Sequence, residues 1–299
     1  MLSERGEWIE MVEVNPPRLP NMTHLQLHNR WRDVLITDNP FKQVRVSPYA
    51  FAARITHDVP DVRPTVVCST RDRNILAIES EVRGAIANGV TSFLVVQGDM
   101  LPEVEHWSNS YEIVEYLRAL QPSVAPIQFE VGMSTRSRRW MLRRRIEVGA
   151  QFLTTGPVMD PASVAAVAER LALQPEDPPV YLEVAPPFSA RWARRMEGVG
   201  AIPISDGLRE HLGNLTADES RAEGWRAARA VADAAREAGF AGIVLMGLRF
   251  DTVVGEAYDV WHADGRPDSR PEPAAPHSHG HGHGHGHGGG PGRPPQASR

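Results

Sequence analysis

The chain has 299 residues, of which 41% are hydrophobic and 23% charged, and a formal net charge of −5. That balance suits a soluble globular protein of one large or two modest domains, and it gives no electrostatic case for nucleic acid, because the basic run at 136–145 is one face of one helix. No run approaches the length of a membrane span, the opening MLSERGEWIEMVEV holds no apolar targeting segment, and the single cysteine excludes an internal disulfide, so a cytoplasmic protein is expected.

Strand and helix signals alternate along the chain, apolar or alternating runs marking strands and 3.6-residue spacing marking helices. Short strands are expected at 11–15 and 33–38, then a helix at 48–54 and a strand at 64–68. Next comes a helix at 74–87, where Ile75, Ile78, Val82 and Ile86 recur at helical spacing, and a strand at 91–97. A helix over 110–120 leads to a fifth strand at 125–131, a helix at 138–148 and a sixth strand at 150–155. A helix at 162–173 precedes a seventh strand at 179–184; helices at 190–197 and 219–238 precede an eighth at 241–248. Gly89, Gly149 and Gly239 stand where helices should stop. Eight strands with crossover helices in roughly 250 residues predict an α/β fold of the (β/α)8 TIM-barrel type. A doubly wound sheet would carry a phosphate-binding glycine fingerprint after its first strand, and none follows 11–15. The barrel domain is expected over 8–263. From 264 to 299 the chain turns to Asp, Arg, Pro, Gly and His, a composition that cannot bury a core and predicts a disordered tail. Six of the twelve histidines fall within 277–290, so incidental binding of divalent metal ions is expected there.

Ligands of parallel barrels bind at the carboxyl ends of the strands, so the polar residues there are the candidates. Glu13 lies within the first strand. If its side chain points into the barrel mouth, desolvation raises its pKa and suits it to general acid catalysis; if outward, it is solvated or paired with a helix arginine. Pro16 and Pro17 stiffen the loop that follows. Gln97, Gly98 and Asp99 follow the fourth strand, Asp99 reading equally as a functional acid or a cap. Thr154, Thr155 and Gly156 end the sixth strand. Arg143, Arg144 and Arg145 close a helix where they suit its dipole, and one could reach a ligand phosphate. Cys68, in an apolar strand, reads as a core side chain.

Four blocks then carry a family resemblance. EVNPPR at 13–18, PTVVCSTRDRN at 64–74, GVTSFLVVQGD at 89–99 and RRRIEVGAQFLTTGPVMD at 143–160 resemble, in order and at compatible spacing, motifs of the methylenetetrahydrofolate reductase family. The likeness spans most of residues 8–160, loosens beyond, and is to the short bacterial forms. It implies a flavin-dependent oxidoreductase that reduces 5,10-methylenetetrahydrofolate to 5-methyltetrahydrofolate with NADH or NADPH through noncovalent FAD. It implies catalytic roles for Glu13, in protonating a folate ring nitrogen, and for Asp99, beside the flavin and the pterin. It places Ser47, Thr65, Val67, Gln97, Gly98, Asp99, Arg145 and Ala150 around the cofactor, Arg145 near its phosphates and Ala150 near its adenosine end. Folate and nicotinamide nucleotide are the implied partners, and a homo-oligomer is compatible with the family. The chain departs from the pattern at Thr65 (histidine in the family), Gly156 (glutamine), the IQFEVGM segment and Arg138, which points to altered cofactor affinity or substrate. Two other readings stand beside the reductase: a folate-dependent methyl-transfer component working with a corrinoid protein, and a non-catalytic barrel that binds a partner. With Cys68 the only thiol, a zinc-thiolate methyltransferase is disfavoured.

Overall fold

The structure is a computed structural model, which describes residues 1–4, 6–18, 31–59, 61–98, 109–135, 139–198, 200–246 and 254–263. Eight parallel strands close into a barrel in sequence order: β1 (Ile9–Val14), β2 (Asp33–Ile36), β3 (Arg63–Ser69), β4 (Ser92–Val96), β5 (Glu130–Ser134), β6 (Phe152–Thr154), β7 (Val180–Val184) and β8 (Gly242–Leu245). Closure is made by β1 against β8, with Met11 beside Val244. Around it run α1 (Pro48–Asp58), α2 (Ile75–Ala87), α3 (Ser110–Leu120), α4 (Arg139–Glu147), α5 (Val164–Leu171), α6 (Ala190–Gly198), α7 (Asp206–Gly213), α8 (Ala217–Glu237) and α9 (Val254–His262).

Side chains alternate across each strand, and the packing separates them into two layers. Val12, Val14, Val34, Ile36, Val66, Phe93, Val131, Leu182 and Ile243 face the helices. Ile9, Met11, Leu35, Val67, Leu94, Phe152, Tyr181 and Val244 fill the barrel interior. Burial of each such side chain contributes about 1.5–3 kcal/mol, so these two layers dominate the stability of the fold. The interior is filled to contact: a Cβ on Gly132 would meet the Phe152 ring at 2.4 Å. Gly89, Gly149 and Gly239 follow α2, α4 and α8 with positive φ, as helix-stopping glycines should.

The amino-terminal end of the barrel is sealed. Leu2 packs into the interior cluster. The backbone N–H groups of Leu2 and Ser3 donate to the two Glu130 carboxylate oxygens at 2.8 Å each. Tyr181 donates its hydroxyl to the Leu2 carbonyl at 2.7 Å. Arg63 grips Asp33 with two bonds of 2.8 and 2.6 Å. Every one of these buried polar groups has a partner, as burial demands.

The fifth strand corrects the expectation of 125–131. Residues 125–128 are exposed, Gln121 brackets them by bonding Ile127 O and Phe129 N, and the strand runs instead from Glu130 to Ser134. An apolar run with one face in solvent looked like a strand there, whereas the strand itself carries Glu130, Gly132 and Ser134 on its inward face. Two helices, α7 and α9, were not expected. Among the described residues no helix is long and apolar enough to cross a membrane. The expected tail at 264–299 lies outside the described residues.

Candidate active site at the barrel mouth

Continuing the inward alternation past the apolar layer gives the residues at the carboxyl ends of the strands. They are Glu13 from β1, Ser69 from β3, Val96 from β4, Ser134 from β5, Thr154 from β6 and Glu183 from β7. Glu13 thus points into the barrel, since Met11 two residues earlier lies in the interior cluster and Val12 and Val14 lie in the outer one. The result is a polar bowl on an apolar floor, with two carboxyl groups on its wall.

Glu183 is the residue that sequence reasoning missed. Its strand was expected, and the parity argument used for Glu13 applies equally to it, two residues beyond Tyr181. Burial pushes its carboxyl up to about 8; the Thr154 hydroxyl pulls part of the way back, and the nearby Glu13 carboxylate adds to the rise. Although the side chain keeps an edge toward solvent, protein crowds it enough for desolvation to lead. At neutral pH Glu183 is mainly the neutral acid.

The wall around Glu183 is tied down. Its N–H donates to Thr155 Oγ1 at 3.0 Å and its carbonyl accepts from Val158 at 2.8 Å. Trp192 Nε1 holds Pro186 O at 3.0 Å, and Asp160 bonds the N–H groups of Ala162 and Ser205 at 3.0 and 2.8 Å. On the β1 side, Thr37 donates to Asn15 Oδ1 at 2.7 Å and Arg45 to Pro16 O at 2.8 Å. Beside β3, Asp38 accepts from the Ser69 N–H at 3.2 Å and forms a buried ion pair with Arg73. Gly98 takes a φ of 86°, and a Cβ there would sit 2.3 Å from Ser69 Oγ, so only glycine fits this turn.

The other expected site residues scatter. Ser47 precedes α1 on the mouth side, joined there by the Val46 N–H to Pro17 O bond of 2.9 Å. Gln97 is exposed just past β4, beside Gly98. Asp99 lies outside the described residues, as does Arg138. Val67 belongs to the apolar floor. Thr65 lies below that floor, near the sealed end, where its hydroxyl donates to Ser92 Oγ at 3.1 Å. Arg145 is in the helical layer, over the Tyr111 ring at 5.5 Å and bonded to the Tyr111 hydroxyl at 3.2 Å. Its neighbours are likewise used in packing, Arg143 on Asp177 at 2.9 Å and Arg144 on Glu147 at 3.3 Å. Ala150 precedes β6 and is buried in the outer cluster, at the end opposite the mouth. A cofactor cradle needs its contacts on one surface, and these positions occupy the mouth, the floor, the far end and the helical shell. These expected positions do not share one surface among the described residues. Among them no cluster of three or more His, Cys, Asp or Glu could hold a metal ion, and Cys68, fully buried with its thiol pushed up to about 12 chiefly by desolvation, is no nucleophile.

A second concavity, of about 330 Å³, opens at the sealed end between Trp8, Gln174, Pro179, Arg236 and Phe240. Two of its charged groups are engaged, Asp177 with Arg139 and Arg143 and Arg236 over the Trp8 ring at 4.6 Å. In barrels that end serves stability, which makes the mouth the candidate site.

No protein-family model matches the chain, and no curated protein does. Solved structures do. An uncharacterized protein from Clostridium thermocellum, described as binding two copies of 5-methyl-5,6,7,8-tetrahydrofolic acid, superposes with a TM-score of 0.61 at 14% identity, over 88% of this chain and 98% of that one. A 2,3-dimethylmalate lyase of the PEP mutase/isocitrate lyase superfamily gives 0.51 at 14% identity, covering 88% and 81%. EDTA monooxygenase from Chelativorans sp. BNC1 gives 0.50 at 12%, covering 88% and 96%. The shared feature is the fold. This chain is a (β/α)8 barrel.

Proposed function

We propose that the mouth binds a reduced folate and that the chain is an enzyme of one-carbon chemistry acting on it. The observation that carries this is the pair of inward carboxyl groups, Glu13 and Glu183, one wall of the bowl holding a neutral acid at pH 7. A reduced pterin presents basic ring nitrogens and a row of N–H donors, and an acid beside a carboxylate satisfies both. Chemistry at the one-carbon unit changes the basicity of the nitrogen that carries it, so a positioned proton donor is what such a site requires. The apolar floor of Met11, Leu35, Val67 and Phe152 suits the flat face of the bicycle and keeps water from below. The motif resemblance of residues 13–18 and 89–99, and the folate-binding barrel from C. thermocellum, favour the same ligand class.

Reduction of 5,10-methylenetetrahydrofolate with NADH or NADPH is the reaction we favour within that class. Thr65, Arg145 and Ala150 lie away from the bowl, and the residues that face it supply folate with grip, orientation and the proton. A methyl-transfer role on 5-methyltetrahydrofolate would use the same pair. The experiment is a titration of native protein with 5-methyltetrahydrofolate and with the methylene form, followed by anaerobic assay with each nicotinamide and with FAD added. Saturable binding of either folate, lost on crowding the bowl by Thr154→Trp, is expected. Failure of both folates to bind rejects the proposal, and binding without nicotinamide oxidation rejects the reductase reading alone.

A further inference from the structure

The two carboxyl groups of the bowl are anchored differently. Glu183 stands on a firmly bonded part of the mouth. Two residues before it on the same face is Tyr181, fully buried and edge-on to Phe152 with ring centroids 6.4 Å apart. Both backbone polar groups of Glu183 are bonded, to Thr155 and Val158, and β6 and β7 are extended past the barrel by the bridge between Val158 and Val184. Among the described residues no cation acts on its carboxyl, and its charged neighbour is Glu13. Glu13 lies on a strand that ends in polar contacts, Asn15 with Thr37 and the Arg45 guanidinium on the Pro16 carbonyl at 2.8 Å. Two carboxyl groups facing one bowl settle into one acid and one carboxylate, and the one set directly above the buried Tyr181–Phe152 pair takes the proton.

Resting on the reading that a reduced folate occupies the mouth, we infer that Glu183 is the catalytic acid that hands its proton to a ring nitrogen of the folate, and that Glu13 remains a carboxylate accepting the ligand's N–H edge. The step is a proton transfer alone. The Glu183 O–H bond breaks with its electron pair left on the carboxylate, an N–H bond forms on the ligand, and solvent restores the proton after release. This reverses the role that motif resemblance gives to Glu13 and moves it to a residue on β7. It also supplies the bowl with a polar group beside Gly156, which has no side chain to offer.

The test has two arms. In ligand-free protein, infrared difference titration should find one carboxylic acid ionising with a midpoint near 8. That signal should vanish in E183Q and persist in E13Q at a lower midpoint, because the repelling charge is gone. In the second arm, 5-methyltetrahydrofolate is titrated between pH 6 and 9.5. Native affinity should hold up to the midpoint and then fall about tenfold per pH unit, the break should be absent in E183Q, and in E13Q affinity should drop at every pH with the break retained. A break that survives E183Q and disappears in E13Q overturns the assignment, as does an infrared signal that belongs to Glu13. Absence of folate binding by native protein at every pH overturns the underlying reading and the inference together, whereas the infrared arm decides the seat of the proton without any ligand.

Discussion

The two ends of this barrel differ in one inward acid. At the sealed end the inward carboxylates have donors: Asp33 has Arg63, and Glu130 has the N–H groups of Leu2 and Ser3. At the mouth, Glu183 shares its bowl with another acid, and its pKa rises to about 8 with burial as the first cause. A stable end satisfies its charges, and a working end leaves one poised. The difference shows where a fold can tolerate a perturbed group, and it separates two residues of one strand, Tyr181 locking the plug and Glu183 facing the mouth.

The largest effect should come from breaking the sealed end. Glu130→Ala removes the acceptor of two buried backbone donors, each costing ~1–3 kcal/mol when left unpaired. A loss of about 3 kcal/mol in urea unfolding is expected, with the slope unchanged; a loss under about 1 kcal/mol would mean that the plug is decorative.

At the mouth, the expected change is smaller and depends on pH. The Glu183 carboxyl is protonated in the folded chain over a range in which the unfolded carboxyl, at its ordinary value of about 4.5, is ionised. The folded state therefore binds the extra proton, and native stability should fall as pH rises from about 4.5 to about 8 and then level off. E183Q should match native protein near pH 4 and exceed it at pH 9. Parallel stability curves for the two proteins would contradict this.

Cys68 sharpens the contrast from between the barrel and its helices. With no exposed surface and a thiol pushed up to about 12, it should resist alkylation in folded protein and react on unfolding in urea. Fast labelling of native protein would show that the outer layer opens. The smallest effect is expected at the far terminus: deletion from His277 onward should abolish retention on a nickel column and leave the unfolding midpoint and folate binding unchanged, measured side by side on both chains.

The barrel was legible because its grammar is local. The helix at Ser110–Leu120 falls where its periodicity put it, and the glycines after α2, α4 and α8 stop helices as expected. The fifth strand was misplaced because its true residues, EVGMS, carry a plug acceptor, a void for Phe152 and a mouth hydroxyl, none of which reads as apolar alternation. The site was less legible for a related reason. Motif resemblance marks positions along a chain, whereas a bowl is defined by height on the strands. Arg145 and Ala150 match by motif and lie in the helical shell and at the opposite end. Glu183 matches no motif, and only its parity with Tyr181 reveals it.

The most direct measurement is hydrogen exchange mapped by peptide with and without 5-methyltetrahydrofolate. Ligand-induced protection should appear in peptides covering Glu13–Pro17, Thr154–Val158 and Glu183–Ser189, and the peptides around Trp8, Gln174 and Phe240 at the sealed-end cavity should be unchanged. Protection confined to that cavity, with the mouth untouched, would place the ligand at the wrong end and contradict the account.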